Sequence, residues 1–222
     1  IIRNLFQENH YNTEFQQMVP VTDYFIIHNE NMKKWLVEYG IDSNKLIVLE
    51  IFDYLNEKDL SEKVLYDKSV IIAGNLSQEK SPYIYELSKV PDVQFNLMGV
   101  NYTEEKETQN IHYLGAFESD EVPFQLKSGF GLVWDGISIE TCDGPTGNYL
   151  RYNNPHKLSL YLSSGLPVIV WKESALAEFI SSQKLGLVIS SLYELSDILD
   201  TITEKQYQEF VENILHKKLN AK

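Results

Sequence analysis

The run Asn153-Asn154-Pro155-His156-Lys157 carries the strongest chemical signal in the chain. Pro155 suits the first turn of a helix, where its missing N–H costs nothing, and Asn154 suits the N-cap. The helix is predicted to continue through Leu158, Tyr161 and Leu162 to Gly165. A helix N-terminus gathers free backbone N–H groups and partial positive charge, which is the chemistry that holds a phosphate. Lys157 in the first turn, beside His156, opposes the helix dipole unless an anion is bound there. The competing reading is a capped helix with a snorkelling lysine. Arg151, two residues upstream of the run, is placed to reach the same anion.

Other candidates follow predicted strands. Gly74, Asn75 and Ser77 offer a tight turn and polar contacts, and Lys80 puts a second cation near a helix start; the alternative for Lys80 is a surface lysine on a solvated helix. Asp135-Gly136 introduces a long segment, 137–152, rich in glycine and asparagine. A loop of that length inside a domain is functional or disordered. Asp135 is suited to a sugar hydroxyl or, equally, to capping the loop it introduces. The turns 99–102 and 115–117 have backbone groups that could read a nucleobase edge, with Tyr102 or Phe117 covering its face.

The elements that must position these residues alternate. From residue 69, short β-branched runs at 69–75, 93–100, 111–115, 129–135, 167–171 and 185–190 are interleaved with helical patterns at 79–90, 119–127 and around Leu176, Phe179 and Ile180. Strands alternating with crossover helices specify a parallel, Rossmann-like α/β sheet, and in such sheets ligands bind beyond the carboxyl ends of the strands. Gly129 and Gly131 lie within a strand, where they read as close packing. The tail repeats apolar residues at Tyr207, Phe210, Val211, Ile214 and Leu215, the stripe of an amphipathic helix. Upstream, 23–28 and 46–52 read as strands flanking a helix at 30–39 that ends before Gly40. Two strands and a helix are too few for an independent sheet. The expected organisation is therefore the end of an amino-terminal α/β domain at 1–55, a linker at 56–68, the Rossmann-like domain at 69–202, and a helix at 203–222 packing across the domains. The chain opens on Ile1, which is expected of part of a longer protein.

Composition closes several alternatives. The 222 residues carry 19 Lys and Arg against 32 Asp and Glu, a formal net charge of −13, so the basic footprint of a nucleic-acid or anionic-membrane binder is missing. No apolar run approaches the roughly 20 residues that span a bilayer, and a cytoplasmic protein is expected. The one cysteine, Cys142, supports neither a disulfide framework nor a cysteine-based zinc site and reads as an incidental loop thiol. His10, His28, His112 and His216 lack spaced partners. Walker A, dinucleotide-fingerprint, nucleophile-elbow and zinc-helix patterns do not occur.

Taken together, Trp134-Asp135-Gly136, Cys142, Gly144, Gly147, Tyr149-Leu150, Asn153-Asn154-Pro155, Lys157, Ser159, Tyr161-Leu162, Gly165 and Pro167-Val168-Ile169 resemble the bacterial family of β-1,6-galactofuranosyltransferases. That family is related to the accessory glucosyltransferases that extend O-glycans on serine-rich-repeat adhesins. Ile27-His28-Asn29 with Met32, and Phe52-Asp53-Tyr54-Leu55, also fit its pattern.

The resemblance implies the carboxy-terminal, six-stranded half of a GT-B glycosyltransferase with a remnant of the amino-terminal acceptor domain. It implies transfer of a hexosyl group from UDP-galactofuranose or UDP-glucose to a glycan or glycoprotein. By position, Lys157 with the turn at Asn154 would hold the diphosphate, Lys80 would assist, and the turns at Gly99 and Gly115 would hold uracil. A general base would lie in the absent amino-terminal part. No cofactor or metal is expected, since the sequence has no Asp-x-Asp pair, and related transferases often self-associate. The alternatives are a UDP-sugar epimerase of GT-B fold and a non-catalytic nucleotide-binding subunit of a glycosyltransferase complex.

Overall fold

A computed structural model describes residues 9–55, 57, 64–103 and 108–220. The smaller of two units contains α1 (Asn9–Met18), β1 (Phe25–Ile27), α2 (Glu30–Glu38) and β2 (Leu46–Val48). β1 and β2 pair in parallel, with Phe25 opposite Leu46 and Ile27 opposite Val48. Met32 and Leu36, four residues apart on one face of α2, close over Phe15, Ile27, Ile41 and Leu46 to form this unit's core. Tyr149 and Tyr152 of the larger unit pack against the same cluster.

The larger unit is one sheet of six parallel strands: β3 (Leu65–Asn75), β4 (Phe95–Val100), β5 (Ile111–Tyr113), β6 (Ser128–Val133), β7 (Val168–Trp171) and β8 (Gly186–Ile189). Their spatial order is β5-β4-β3-β6-β7-β8. This is the doubly wound order, with the reversal between β3 and β6, where such sheets bind their ligands. The helices are α3 (Val122–Gln125), α4 (Gly144–Tyr149), α5 (His156–Ser163), α6 (Ala177–Ser182), α7 (Leu195–Thr201) and α8 (Glu204–Asn220).

Four expectations change. β3 starts at Leu65, so the end of the expected 56–68 linker is strand, while 56 and 58–63 lie outside the described residues. The helix expected at 79–90 is a turn followed by a 3-10 helix, Pro82–Lys89. Pro82 disfavours helical backbone in the residue before it, and Ser81 sits at φ −136°, ψ 59°. The 137–152 segment contains α4, with Pro145 in its first turn. Finally, the stripe on α8 joins the larger core instead of packing across the two units. Tyr207, Val211 and Ile214 are buried there, the Tyr207 ring meets Tyr66 and Phe130 at 5.4 and 5.2 Å, and its hydroxyl donates to Gly129 O at 2.7 Å.

Candidate functional site

The reversal between β3 and β6 is held open by one side chain. The two strands pair at Val70–Phe130 and Ile71–Gly131, and their pairing goes no further. Two residues on, Ala73 N–H donates to the Tyr161 hydroxyl at 2.9 Å instead of to a strand carbonyl. The Tyr161 ring lies over Gly131, where an added Cβ would fall 2.3 Å from its Cγ. Gly131 is therefore glycine because an aromatic wedge from α5 occupies its side-chain space. The Tyr161 hydroxyl keeps the buried Ala73 N–H satisfied, which a simple splaying of the strands would not.

Lys157 precedes Tyr161 by one helical step of four and shares its face. Its ammonium reaches the mouth of the crevice, 3.9 Å from Asp135 Oδ1 at the end of β6. At the end of β3, a Cβ on Gly74 would stand 3.4 Å from Lys157 Cε, and the Gly74 φ of 135° favours glycine. Gly74, Asp135 and Lys157 thus converge from β3, β6 and α5. The ion pair is too long to be a hydrogen bond, and the buried Asp135 Oδ1 accepts no hydrogen bond.

The start of α5 differs in detail from the expected capped helix. Pro155, at φ −67°, ψ 143°, occupies the N-cap position, and no side chain caps the helix. Leu158 N–H turns back to Pro155 O at 3.0 Å, while the N–H groups of His156 and Lys157 come too early in the helix for an intrahelical acceptor.

Asn154, the expected cap, is engaged by the smaller unit instead. Its N–H donates to His28 Nδ1 at 3.0 Å, and its amide nitrogen donates to His28 O at 3.1 Å and to Glu50 O. Its Oδ1 accepts from Asn29 Nδ2 at 2.8 Å. Phe52 stands edge-on to His28 at 4.8 Å and stacks on His156 at 4.4 Å. Burial, reinforced by the neighbouring His156, holds the His28 imidazole below its ordinary value. With Nδ1 accepting from Asn154, the neutral ring carries its proton on Nε2.

The remaining candidates are placed as follows. The Arg151 guanidinium lies 4.6 Å over the Trp171 ring and pairs with Glu173. With Gly144, Pro145, Asn148 and Tyr152 it lines a cavity of about 360 Å³. Lys80 sits in the turn after β3, its N–H on Ser77 O at 3.0 Å. Asn75 Oδ1 accepts from Ser77 N–H at 3.1 Å and from Asn101 Nδ2 at 3.2 Å, shaping that loop. Gly99 donates its N–H to Gly115 O at 2.9 Å and accepts the Tyr113 hydroxyl at 2.9 Å. Both of its polar groups are therefore used inside the fold. Tyr102 lies between Tyr85 and Tyr113, with ring centroids at 5.9 and 5.0 Å, and Phe117 packs against the core.

Gly136 is needed for close packing, since a Cβ there would meet Cys142 Cα and Thr141 O at 2.8 Å. Cys142 lies in the loop before α4, as expected, but is buried in the core, and burial pushes its thiol far above the ordinary range.

Reading the sequence missed Tyr161 as a wedge, and it missed His28, Asn29 and Phe52 as neighbours of α5. The signal for the wedge was present: two glycines flank Phe130 in a central strand, and an aromatic lies four residues after the first-turn lysine.

The model for the carboxy-terminal domain of glucosyltransferase 3-like proteins matches residues 70–220, and that for their amino-terminal domain matches residues 2–51. The chain belongs to the glucosyltransferase 3-like family. Among curated relatives, the β-1,6-galactofuranosyltransferase WbbI of Escherichia coli K12 is 43% identical over 195 residues, 86% of this chain and 57% of WbbI. Glucosyltransferase 3 of Streptococcus gordonii is 30% identical over 215 residues, 95% of this chain and 61% of its own length. The chain thus spans about three-fifths of these relatives.

Two solved structures share the fold. WaaG, a glycosyltransferase of lipopolysaccharide biosynthesis, superposes with a TM-score of 0.61 at 13% identity, over 97% of this chain and 64% of WaaG. Anabaena HepE in complex with UDP-glucose gives 0.56 at 15% identity, over 86% of this chain and 57% of HepE. The fold is that of the GT-B glycosyltransferases, and no described helix is long and apolar enough to cross a membrane.

Proposed function

We propose that this chain supplies the donor half of a glycosyltransferase that moves a hexosyl group from a UDP-sugar to a glycan or glycoprotein acceptor. The observation that carries the reading is the meeting of Lys157, Gly74 and Asp135 at the β3–β6 reversal, beneath the uncapped first turn of α5. Two kinds of polar group there are incompletely satisfied by the protein, Lys157 having among the described residues only the 3.9 Å ion pair with Asp135. The cation and the early N–H groups call for an anion. The Asp135 oxygen calls for a hydroxyl donor. A nucleoside diphosphate esterified to a sugar provides both.

In the transfer, the bond between the anomeric carbon and the diphosphate oxygen breaks and its electron pair goes to the diphosphate. The acceptor oxygen bonds to the anomeric carbon and gives up its proton to a base. Charge on the leaving diphosphate is what must be stabilised. Lys157 and the N–H groups of His156 and Lys157 are fixed donors at that point, and loss of one such donor typically costs about 10²–10³ in rate. In this reading these donors take the place of a divalent ion. The names of the relatives favour galactofuranose or glucose as the sugar.

The test is calorimetric titration of the chain with UDP, UDP-glucose, UDP-galactofuranose and NAD, with and without EDTA, repeated for Lys157→Ala. The expected result is UDP binding that survives EDTA and weakens at least about tenfold in the variant, as loss of a charged hydrogen-bond donor implies. Unchanged binding in the variant would refute the assignment of the site, and loss in EDTA would refute its independence of metal. Labelled UDP-sugar then separates transfer from epimerisation by whether the product is a glycosylated acceptor or a new sugar isomer.

A further inference from the structure

The residue that leads into α5 is held from outside its own domain. Asn154, immediately before Pro155, is buried, and its N–H, its amide nitrogen and its Oδ1 all bond to the smaller unit. Asn29 is used just as fully. Its Oδ1 accepts Met32 N–H at 3.0 Å and caps α2, while its Nδ2 donates to Tyr152 O at 2.9 Å and to Asn154 Oδ1. The entry to α5 is thereby fixed on both sides of Asn153. A displacement of a few tenths of an ångström there would be carried directly to His156 and Lys157.

We propose that Asn29 and His28 are positioning residues for the phosphate-binding turn. Through Asn154 they preset the direction of the His156 and Lys157 N–H groups and of the Lys157 side chain, so the smaller unit is a working part of the donor site. The inference rests on the reading of α5 as the diphosphate cradle. It adds that the cradle's affinity is set by hydrogen bonds from outside the Rossmann-like domain. The energetic logic is preorganisation: a turn already held in its bound geometry loses less freedom when the ligand arrives.

The experiment is UDP titration of the full chain as wild type, Asn29→Ser, His28→Phe and His28→Asn, with backbone amide exchange followed at Leu158, whose N–H is bonded to Pro155 O within the turn. Serine keeps a capping oxygen for α2 but removes both donations to the larger unit. Phenylalanine removes the acceptor of the Asn154 N–H, and asparagine restores an acceptor near the Nδ1 position. Asn29→Ser and His28→Phe should each weaken UDP binding by about tenfold, the size expected for loss of a buried hydrogen bond, and should speed exchange at Leu158. His28→Asn should bind UDP within about twofold of wild type.

UDP binding and exchange unchanged in Asn29→Ser and His28→Phe would overturn the proposal while leaving the donor site intact. Loss in His28→Asn equal to that in His28→Phe would also overturn it, because packing of the imidazole, and not its acceptor, would then matter. Failure of the wild type itself to bind UDP would remove the donor-site reading and this inference together.

Discussion

Two helix starts lie within hydrogen-bonding reach of one another and are finished in opposite ways. At α2, Asn29 Oδ1 takes the Met32 N–H, and Glu30 places negative charge in the first turn. The end is complete: one early N–H is satisfied by the chain itself and the dipole is met by a carboxylate. At α5, proline stands in the capping position, no side chain accepts an N–H, and the charge in the first turn is the cation Lys157. An asparagine is available one residue earlier, yet its side chain is turned outward to bind the neighbouring unit. On the proposed reading, the difference separates a helix end that finishes a fold from one that is finished by a ligand, which would bring negative charge for the turn and a hydroxyl for Asp135.

The strongest way to break the comparison is to remove the cation. Lys157→Ala should weaken UDP about thirtyfold, the middle of the range for a hydrogen bond to a charged group, and equal affinity by calorimetry would place the anion elsewhere. Asp135→Ala should act next, and with opposite signs on two ligands. UDP-sugar loses the proposed hydroxyl contact and should bind several-fold more weakly. UDP alone loses a competitor for Lys157 and should bind as well or better. A parallel loss for both ligands would mean that Asp135 serves only to hold Lys157.

Pro155→Ser sharpens the contrast by making α5 resemble α2. The backbone at this position is already extended, as a capping serine requires. A new cap contributes about 0.5–1 kcal/mol, while the loss of proline's constraint on the unfolded chain costs about 0.4–1 kcal/mol. Thermal stability should therefore change little, whereas UDP affinity should fall several-fold because the hydroxyl now occupies an N–H the ligand needs. Full UDP affinity in a variant shown to be capped would remove the helix end from the site.

What the sequence shows and conceals follows the range of the interactions. β-branched runs and turn glycines are local signals, so the six parallel strands and the strand-end position of Asp135 were legible from residue types alone. Pro155 and Lys157 likewise announced a helix start with charge at odds with the dipole. The roles of Asn154 and His28 were not legible. Asparagine before a proline fits a cap on local grounds, and only the approach of a loop more than 120 residues away redirects it. The surroundings of Arg151 were hidden for a similar reason: its proximity in sequence to the lysine says nothing of Trp171 and Glu173, which meet its guanidinium. Tyr161 was visible as an apolar helix position, but its hydroxyl's place in the sheet depends on β3 and β6 parting.

The smallest expected effect concerns His28 and tests whether the seam between the two helix starts senses pH. In the folded chain burial and the neighbouring His156 hold its imidazole below the ordinary value of 6.5. On acidification through that value, the unfolded chain takes up a proton at this position before the folded chain does. Unfolding is then accompanied by proton uptake, so the stability contributed here is complete at neutral pH and declines as pH falls below about 6.5. A protonated His28 would also lose Nδ1 as the acceptor for Asn154 N–H, so the same window should loosen the entry to α5. His28→Asn keeps an acceptor but does not titrate. Denaturant midpoints measured between pH 7.5 and 5.5 should therefore fall more steeply for wild type than for the variant. Parallel curves would show that His28 takes its proton as readily in the folded chain as in the unfolded one. The Asn154 contact would then be holding position without resisting charge.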